Sequence, residues 1–318
     1  MTTNAKTTPY VYSFKDGDGK NKKLLGGKGA NLCEMTQIGI NVPPGFVIST
    51  EACLNYLETK DQDLPAELMD QVQAHIKILE QDTGKIFGDK DNMLLLSVRS
   101  GSALSMPGMM DTILNLGLNS TTLPGLIKQT GNERFARDAY RRFIQLFGKV
   151  ALGISDEKFD KPFDNIKKRE AITEDTDLSA EHFREIGEIF LDVVHSETGK
   201  PFPEDVYEQL QLSVKAVFGS WLGKRAIDYR REFKITADMA NGTAVNIQTM
   251  VFGNMGDDCA TGVGFTRNPA TGENVMFGEF LINAQGEDVV AGIRTPKPVH
   301  ELANEMPRMH VELSALSD

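Results

Sequence analysis

At 318 residues, 40% hydrophobic and 25% charged, the chain is long enough to bury a substantial core and to divide into two or three subdomains. Its net charge of -11 opposes any general attraction to nucleic acid or an anionic membrane, so an anion it binds is held by a local basic pocket. No apolar stretch approaches the roughly 20 residues that span a bilayer. The residues after Met1 lack the apolar core of a signal peptide, and three scattered cysteines (Cys33, Cys53, Cys259) without metal spacing favour a reducing cytoplasm.

Residues 10–14 alternate like a short strand. Then Leu24-Leu25-Gly26-Gly27-Lys28-Gly29-Ala30-Asn31 reads as a glycine turn opening a short helix over 29–38. Gly26 and Gly27 permit close backbone approach, and a helix start offers unpaired amides and a positive dipole end, so Lys28 suits a phosphate. The spacing is not a Walker A loop, which needs Ser or Thr where Gly29 stands. A solvated lysine on a helix-start turn fits the same residues. A turn over 42–45 leads into a strand over 46–49. A helix over 65–81 then puts Leu68, Val72, Ile76 and Leu79 on one face, with His75 a surface or packing residue.

The next strand, 93–99, is apolar until it ends on Arg99, whose planar fork matches phosphate oxygens two at a time. A structural ion pair is the other use of an arginine there. The loop over 100–112 brings Gly101, Ser102, Ser105 and Gly108, which suits a flap over phosphates, while Met106, Met109 and Met110 suit adaptable packing. After Asn119 the pattern is helical to about residue 234, clearest over 134–144. Adjacent helical residues diverge by about 100°. Arg141 therefore reads as basic helix surface, and Arg142 as either surface or a pocket-facing cation. A charged connector over 154–177 separates this helix from further helices over 181–195, 203–218 and 220–233.

From residue 244 strands return, over 244–251, 262–266 and 275–283, the last two joined as a hairpin by a turn at 268–273, with an amphipathic helix over 299–316. The strand exit at Gln248, Met250 and Val251 could pair with the rim of an adenine ring or be an ordinary half-buried strand. Glu279 suits a ribose hydroxyl, a cation or a cross-strand salt bridge, and Gln285 is a similar candidate near a turn. The five histidines have neither metal spacing nor a nucleophile partner. Strands and helices do not alternate regularly, which predicts an α+β fold with a helical insertion rather than a doubly wound parallel sheet.

Several strings together carry a resemblance covering residue 10 to the end. They are Leu24 to Leu32, Ser97-Val98-Arg99-Ser100-Gly101, Ser105-Met106-Pro107-Gly108-Met109-Met110-Asp111-Thr112, Gly264 to Glu273 and Asn283 to Gly292. They closely resemble the amino-terminal nucleotide domain of the pyruvate, phosphate dikinase family, to which phosphoenolpyruvate synthase is related. The resemblance implies an ATP-grasp fold: one sheet-containing subdomain over 1–118 and 205–251, a helical subdomain over 119–204, and a partial second sheet-containing subdomain over 252–318, with ATP clamped between the sheets. It implies transfer of the ATP β-phosphoryl group, as pyrophosphate, to a histidine on a separate swivelling domain, with a barrel domain converting pyruvate to phosphoenolpyruvate. Lys28, Arg99 and Arg142 would then be phosphate-side cations beside Gly101, Gln248, Met250 and Val251 would line the adenine, and Glu279 would lie nearby. The family's magnesium carboxylates (an Asp-x-Glu pair) and a following Gln-Thr-Arg strand are absent up to Asp318. The chain therefore reads as a nucleotide domain cut short before its metal ligands, without complete catalysis of its own. The alternative is a non-catalytic nucleotide-binding module derived from that domain. An independent small-molecule kinase would need Glu287 and Asp288 as its acid pair.

Overall fold

Short apolar strands, the inner three buried along almost their whole length, build a five-stranded antiparallel sheet in the order β1-β2-β5-β3-β4: β1 Val11–Ser13, β2 Gly45–Ile48, β5 Ala244–Thr249, β3 Leu96–Gly101 and β4 Thr112–Leu116. The computed structural model describes residues 9–290 and 294–317, and its contacts divide the chain into two compact units, Met1–Met250 and Val251–Asp318. The predicted mixture of helix and sheet is what forms, and the ladders are antiparallel; no parallel ladder joins the named strands among the described residues.

Because β5 enters the middle of the sheet from far along the chain, it fixes the register of residues distant in sequence. Arg99 of β3 lies opposite Asn246, Ser97 opposite Gln248, and Val47 of β2 opposite Asn246. One face of the sheet packs on α1, Lys22–Gln37, through a cluster of Leu25, Ala30 and Cys33 with Phe14, Val47 and Ala244. The other face carries Phe46, whose ring meets His75 of α3, Leu68–Thr83, at 5.4 Å between centroids. On α3 the four residues picked out by helical spacing, Leu68, Val72, Ile76 and Leu79, are all buried. Helix α2, Thr50–Glu58, was not foreseen; it begins where the Ser49 hydroxyl accepts a bond from the Ala52 amide.

Helices α4, Leu123–Thr130, α5, Glu133–Val150, α6, Glu157–Arg169, and α7, Ala180–Thr198, follow, then α8, Val206–Ser220, and α9, Lys224–Glu232. Their core is aromatic: Phe135, Phe143, Phe147, Phe159, Phe183 and Phe190 are all fully buried. Three expectations need correcting here. The charged connector over 154–177 contains α6, which buries only Phe159 and Ile166 and so presents a mostly charged pattern. The loop over 100–112 runs into β4, which pairs Thr112 with Arg99. Arg141 is buried rather than superficial, because Asp138 one turn earlier pairs with it and the rings of Phe163 and Phe183 lie 4.8 and 5.4 Å from its guanidinium.

The second unit has an antiparallel sheet in the order β6-β7-β8: β6 Ala260–Phe265, β7 Phe277–Ile282 and β8 Lys297–Pro298. The hairpin foreseen between the first two forms, with Gly264 opposite Gly278. The single helix expected over 299–316 is broken into α11, Leu302–Glu305, and α12, Pro307–Ser317, after the short α10, Gly286–Val290. Pro307 forces Met306 out of helical geometry, to φ -139 and ψ 69, because its ring crowds the preceding residue. The amino-terminal residues 1–8, with Ala291 and Gly292 of the last motif, lie outside the described residues, as does the side chain of Glu287. No described helix is long and apolar enough to cross a membrane.

Candidate functional site

The α1 helix is broken where the sequence places its glycines. Gly26 has φ 68 and ψ 162, and the helix restarts at Gly27, whose amide donates to Ser102 O at 2.8 Å. A Cβ on Gly26 would sit 1.9 Å from Gly101 O, so only glycine lets the two backbones meet. Thr50 Oγ1 donates to Lys23 O at 2.7 Å, and the Gly101 amide donates to Thr243 Oγ1 at 3.1 Å. These contacts lace the restart of α1 onto the end of β3, so Lys28 stands beside Gly101, its Cβ 3.3 Å from the place a Cβ would take there.

Lys28 is exposed to solvent yet hemmed in by protein, and its pKa is pushed down to about 8, first by desolvation and then by Arg99. Arg99 is half-buried and is itself held below its usual value by burial. No carboxylate pairs with either cation among the described residues, which removes the ion-pair use of Arg99. Instead Arg99 Nη2 donates to Gln248 Oε1, and its buried Nε has no hydrogen-bond partner. Gln248 in turn donates from Nε2 to Pro43 O at 3.0 Å. Two cations without counter-ions among the described residues, one with a buried donor unspent, leave local positive charge uncompensated.

Asn246 was missed by sequence reasoning. It is fully buried, donates from Nδ2 to Arg99 O at 3.2 Å, and leaves Oδ1 without a partner. Positions for a Cβ on Gly29 and on Gly101 lie 2.8 and 2.9 Å from its amide, so Asn246 separates α1 from β3 at the level of both cations. The visible signal was a polar amide inside the apolar strand 244–249; its register with Arg99 comes only from the strand pairing.

Of the other predicted residues, Arg142 lies on α5, where its Nε donates to Asp138 Oδ2 at 3.1 Å, which ties it into the Asp138–Arg141 cluster. Burial alone would raise the Asp138 pKa, but Arg141 and Arg142 outweigh it and hold the carboxylate below its usual range. Met250 follows β5, its amide donating to Leu95 O at 2.9 Å.

In the second unit, Val251 is 69% exposed. Glu279 is exposed on β7, and the expected cross-strand salt bridge has no partner among the described residues, Val263 and Pro298 standing opposite it. It lines a cavity of about 570 Å³ with Val263, Phe265, Phe280, Leu302 and Met309. Gln285 is buried with neither side-chain atom hydrogen-bonded, while its amide donates to Asp288 at 2.9 Å. That bond gives Asp288, half of the acid pair considered above, a structural task.

No group of three or more His, Cys, Asp or Glu comes together among the described residues, so no all-protein metal cage is present among them.

The site is thus a glycine-broken helix in an α+β architecture, presenting a lysine beside an arginine that has no carboxylate partner among the described residues. The chain matches the family described as "Pyruvate phosphate dikinase, AMP/ATP-binding domain" over residues 22–64 and 60–312, and it belongs to that family. It is 56% identical over 93% of its length to pyruvate, phosphate dikinase of Entamoeba histolytica, covering 33% of that protein. It is 50% identical over 97% of its length to the enzyme of Clostridium symbiosum, covering 35% of it. Against the chloroplastic pyruvate, phosphate dikinase 1 of Arabidopsis thaliana it is 51% identical over 95% of its length, covering 32%. The chain thus spans about a third of the length of the curated relatives it matches.

Proposed function

We propose that the domain binds ATP by its polyphosphate, Lys28 and Arg99 neutralising charge beside Gly101, in an ATP-grasp arrangement. Its subdomains in this reading are 1–118 with 205–251, 119–204, and 252–318. In the longer relatives such a domain would pass the ATP β-phosphoryl group, as pyrophosphate, to a histidine on a separate domain with release of AMP. That step would begin the conversion of ATP, phosphate and pyruvate to AMP, diphosphate and phosphoenolpyruvate. Phosphoryl transfer asks chiefly for positioning and charge, which two convergent cations supply. Met250 lines the adenine in this reading, and Gln248 stands at the junction of base and phosphate sides. The observation that carries the proposal is that Lys28 and Arg99 meet with no carboxylate partner among the described residues, Arg99 Nε being buried and unspent.

Calorimetry of the chain with ATP, with and without magnesium, tests it. Binding that falls at least about tenfold in Lys28→Ala supports the reading, a charged contact contributing about 1.5–3 kcal/mol. Wild-type affinity unchanged by Lys28→Ala and by Arg99→Ala would remove it.

A further inference from the structure

Gln248 carries a chemical constraint that a base-lining role does not explain. Its side-chain amide has two ends, and both are engaged inside the protein. Pro43 O can only accept, so Nε2 must face it; Arg99 can only donate, so Oε1 must face Arg99. The amide orientation is therefore dictated by its partners. Strand register explains how the two meet: Arg99 lies opposite Asn246, so Gln248, two residues further on β5, is its diagonal neighbour on the same face. Gln248 is only 4% exposed and anchored to the turn before β2, whereas Arg99 retains a buried Nε without a partner.

A residue that grips one arm of a guanidinium, is locked from behind, and carries no charge performs a particular service. A carboxylate there would hold Arg99 equally well but would neutralise it, leaving less field for a bound polyanion. An apolar side chain would keep the charge but let the fork rotate among its many rotamers. An amide fixes the fork and leaves the full positive charge available. We infer that Gln248 is a positioning residue for Arg99, aiming the guanidinium at the phosphates of the ligand while keeping it uncompensated, and that it does not read the base. This rests on the proposed nucleotide site but assigns Gln248 to the phosphate end of the ligand.

The test compares wild type, Gln248→Met and Gln248→Glu, all as the full chain. Calorimetry uses ATP, ITP, adenosine and inorganic tripolyphosphate. For Gln248→Met the expected result is about a tenfold loss for ATP and tripolyphosphate, roughly one charged hydrogen bond, with adenosine affinity and the preference for ATP over ITP unchanged. Gln248→Glu should lose more than Gln248→Met toward tripolyphosphate, because it adds a negative charge at the fork. An equal loss for adenosine and ATP, or a changed preference between ATP and ITP, would overturn the inference in favour of base reading. A second readout needs no nucleotide: the Arg99 Nε–Hε resonance of the free protein should shift and broaden in Gln248→Met. If wild type binds no polyphosphate, the nucleotide-site reading fails and this resonance alone decides whether Gln248 orders Arg99; an unmoved resonance refutes the positioning role. If the methionine variant does not fold, Gln248→Glu, nearly the same shape, supplies the binding readout: a loss for tripolyphosphate and ATP with adenosine affinity unchanged is expected, and an equal loss for adenosine overturns the inference.

Discussion

Lys28 and Arg99, on α1 and β3, lie close enough that the guanidinium helps hold the ammonium's pKa near 8. Neither charge is compensated by a carboxylate among the described residues, so the pair is strained electrostatically until an anion arrives. The pH dependence follows with a definite sign. Below about 8 Lys28 is protonated and attracts a polyphosphate; as pH rises through 8 the free protein loses that charge. A bound polyanion restores it, raising the pKa, so ATP affinity should fall with pH above 8 and binding at pH 8.5 should take up protons. Calorimetry in two buffers of different ionisation enthalpy measures this uptake, which should vanish in Lys28→Met. Stability runs the other way. The folded pKa lies below the ordinary 10.5, so the cost of the charge is fully present below about 8 and is relieved as pH climbs toward 10.5. Because Lys28 is exposed, solvent screening keeps this second effect small.

Gly26 should be among the least replaceable residues in the chain. Its φ of 68 disfavours any side chain, and a Cβ would lie 1.9 Å from Gly101 O, where backbone meets backbone and neither can yield cheaply. Gly26→Ala is expected to cost about 3 kcal/mol or more in urea unfolding and to abolish nucleotide binding by parting α1 from β3. Gly39 provides the control. Its φ is 89 but nothing lies within 4 Å, so Gly39→Ala should cost only the backbone term, about 1–2 kcal/mol. Equal costs for the two would show that the close approach contributes nothing.

How much of this was legible in the sequence divides along physical lines. Local periodicity found α3 and its four buried residues, because spacing alone determines which side of a helix is apolar. It missed α6, whose charged pattern hides a helix pinned by two side chains, and it ran the last helix through Pro307 although the ring breaks it at Met306. Lys28 and Arg99 could be suspected from glycines and a strand-end arginine. Their meeting could not, since it depends on β5 entering the sheet beside β3. The same long-range pairing hid Asn246, and it hid the two bonds that occupy Gln248. Arg141 was misplaced for a related reason: Asp138 was visible one turn away, but Phe163 and Phe183 come from other helices.

Asp138 should be the electrostatic keystone of the helical region. It is buried with Arg141 and, through Oδ2, with Arg142. Removing its charge strands buried cations, so Asp138→Asn should cost about 3–5 kcal/mol at neutral pH. The folded pKa is depressed, so its contribution is present above the ordinary carboxylate value and disappears as pH falls through the folded value. The stability gap between wild type and Asp138→Asn, followed by urea unfolding, should therefore close in acid. A gap constant down to low pH would assign the loss to packing instead.

The loop that follows β3 makes a contrast between two kinds of anchor. Met106 is buried in a cluster with Trp221, Ala226 and Ala240, and Met109 and Met110 pack against the same cluster. On the outside, Arg225 bridges to Asp111 at 3.0 Å and donates to Gly108 O at 3.3 Å, but the arginine is 61% exposed. Burial and dispersion hold the first contact, whereas solvent competes with the second. Met106→Ala should therefore destabilise the protein by about 2–5 kcal/mol in chemical unfolding, while Arg225→Ala should cost no more than about 1 kcal/mol. The two also differ in salt dependence: raising ionic strength should shrink the effect of Arg225→Ala and leave that of Met106→Ala in place. If Arg225→Ala proved the costlier substitution, the loop would be fastened by charge from outside rather than by the apolar cluster beneath it.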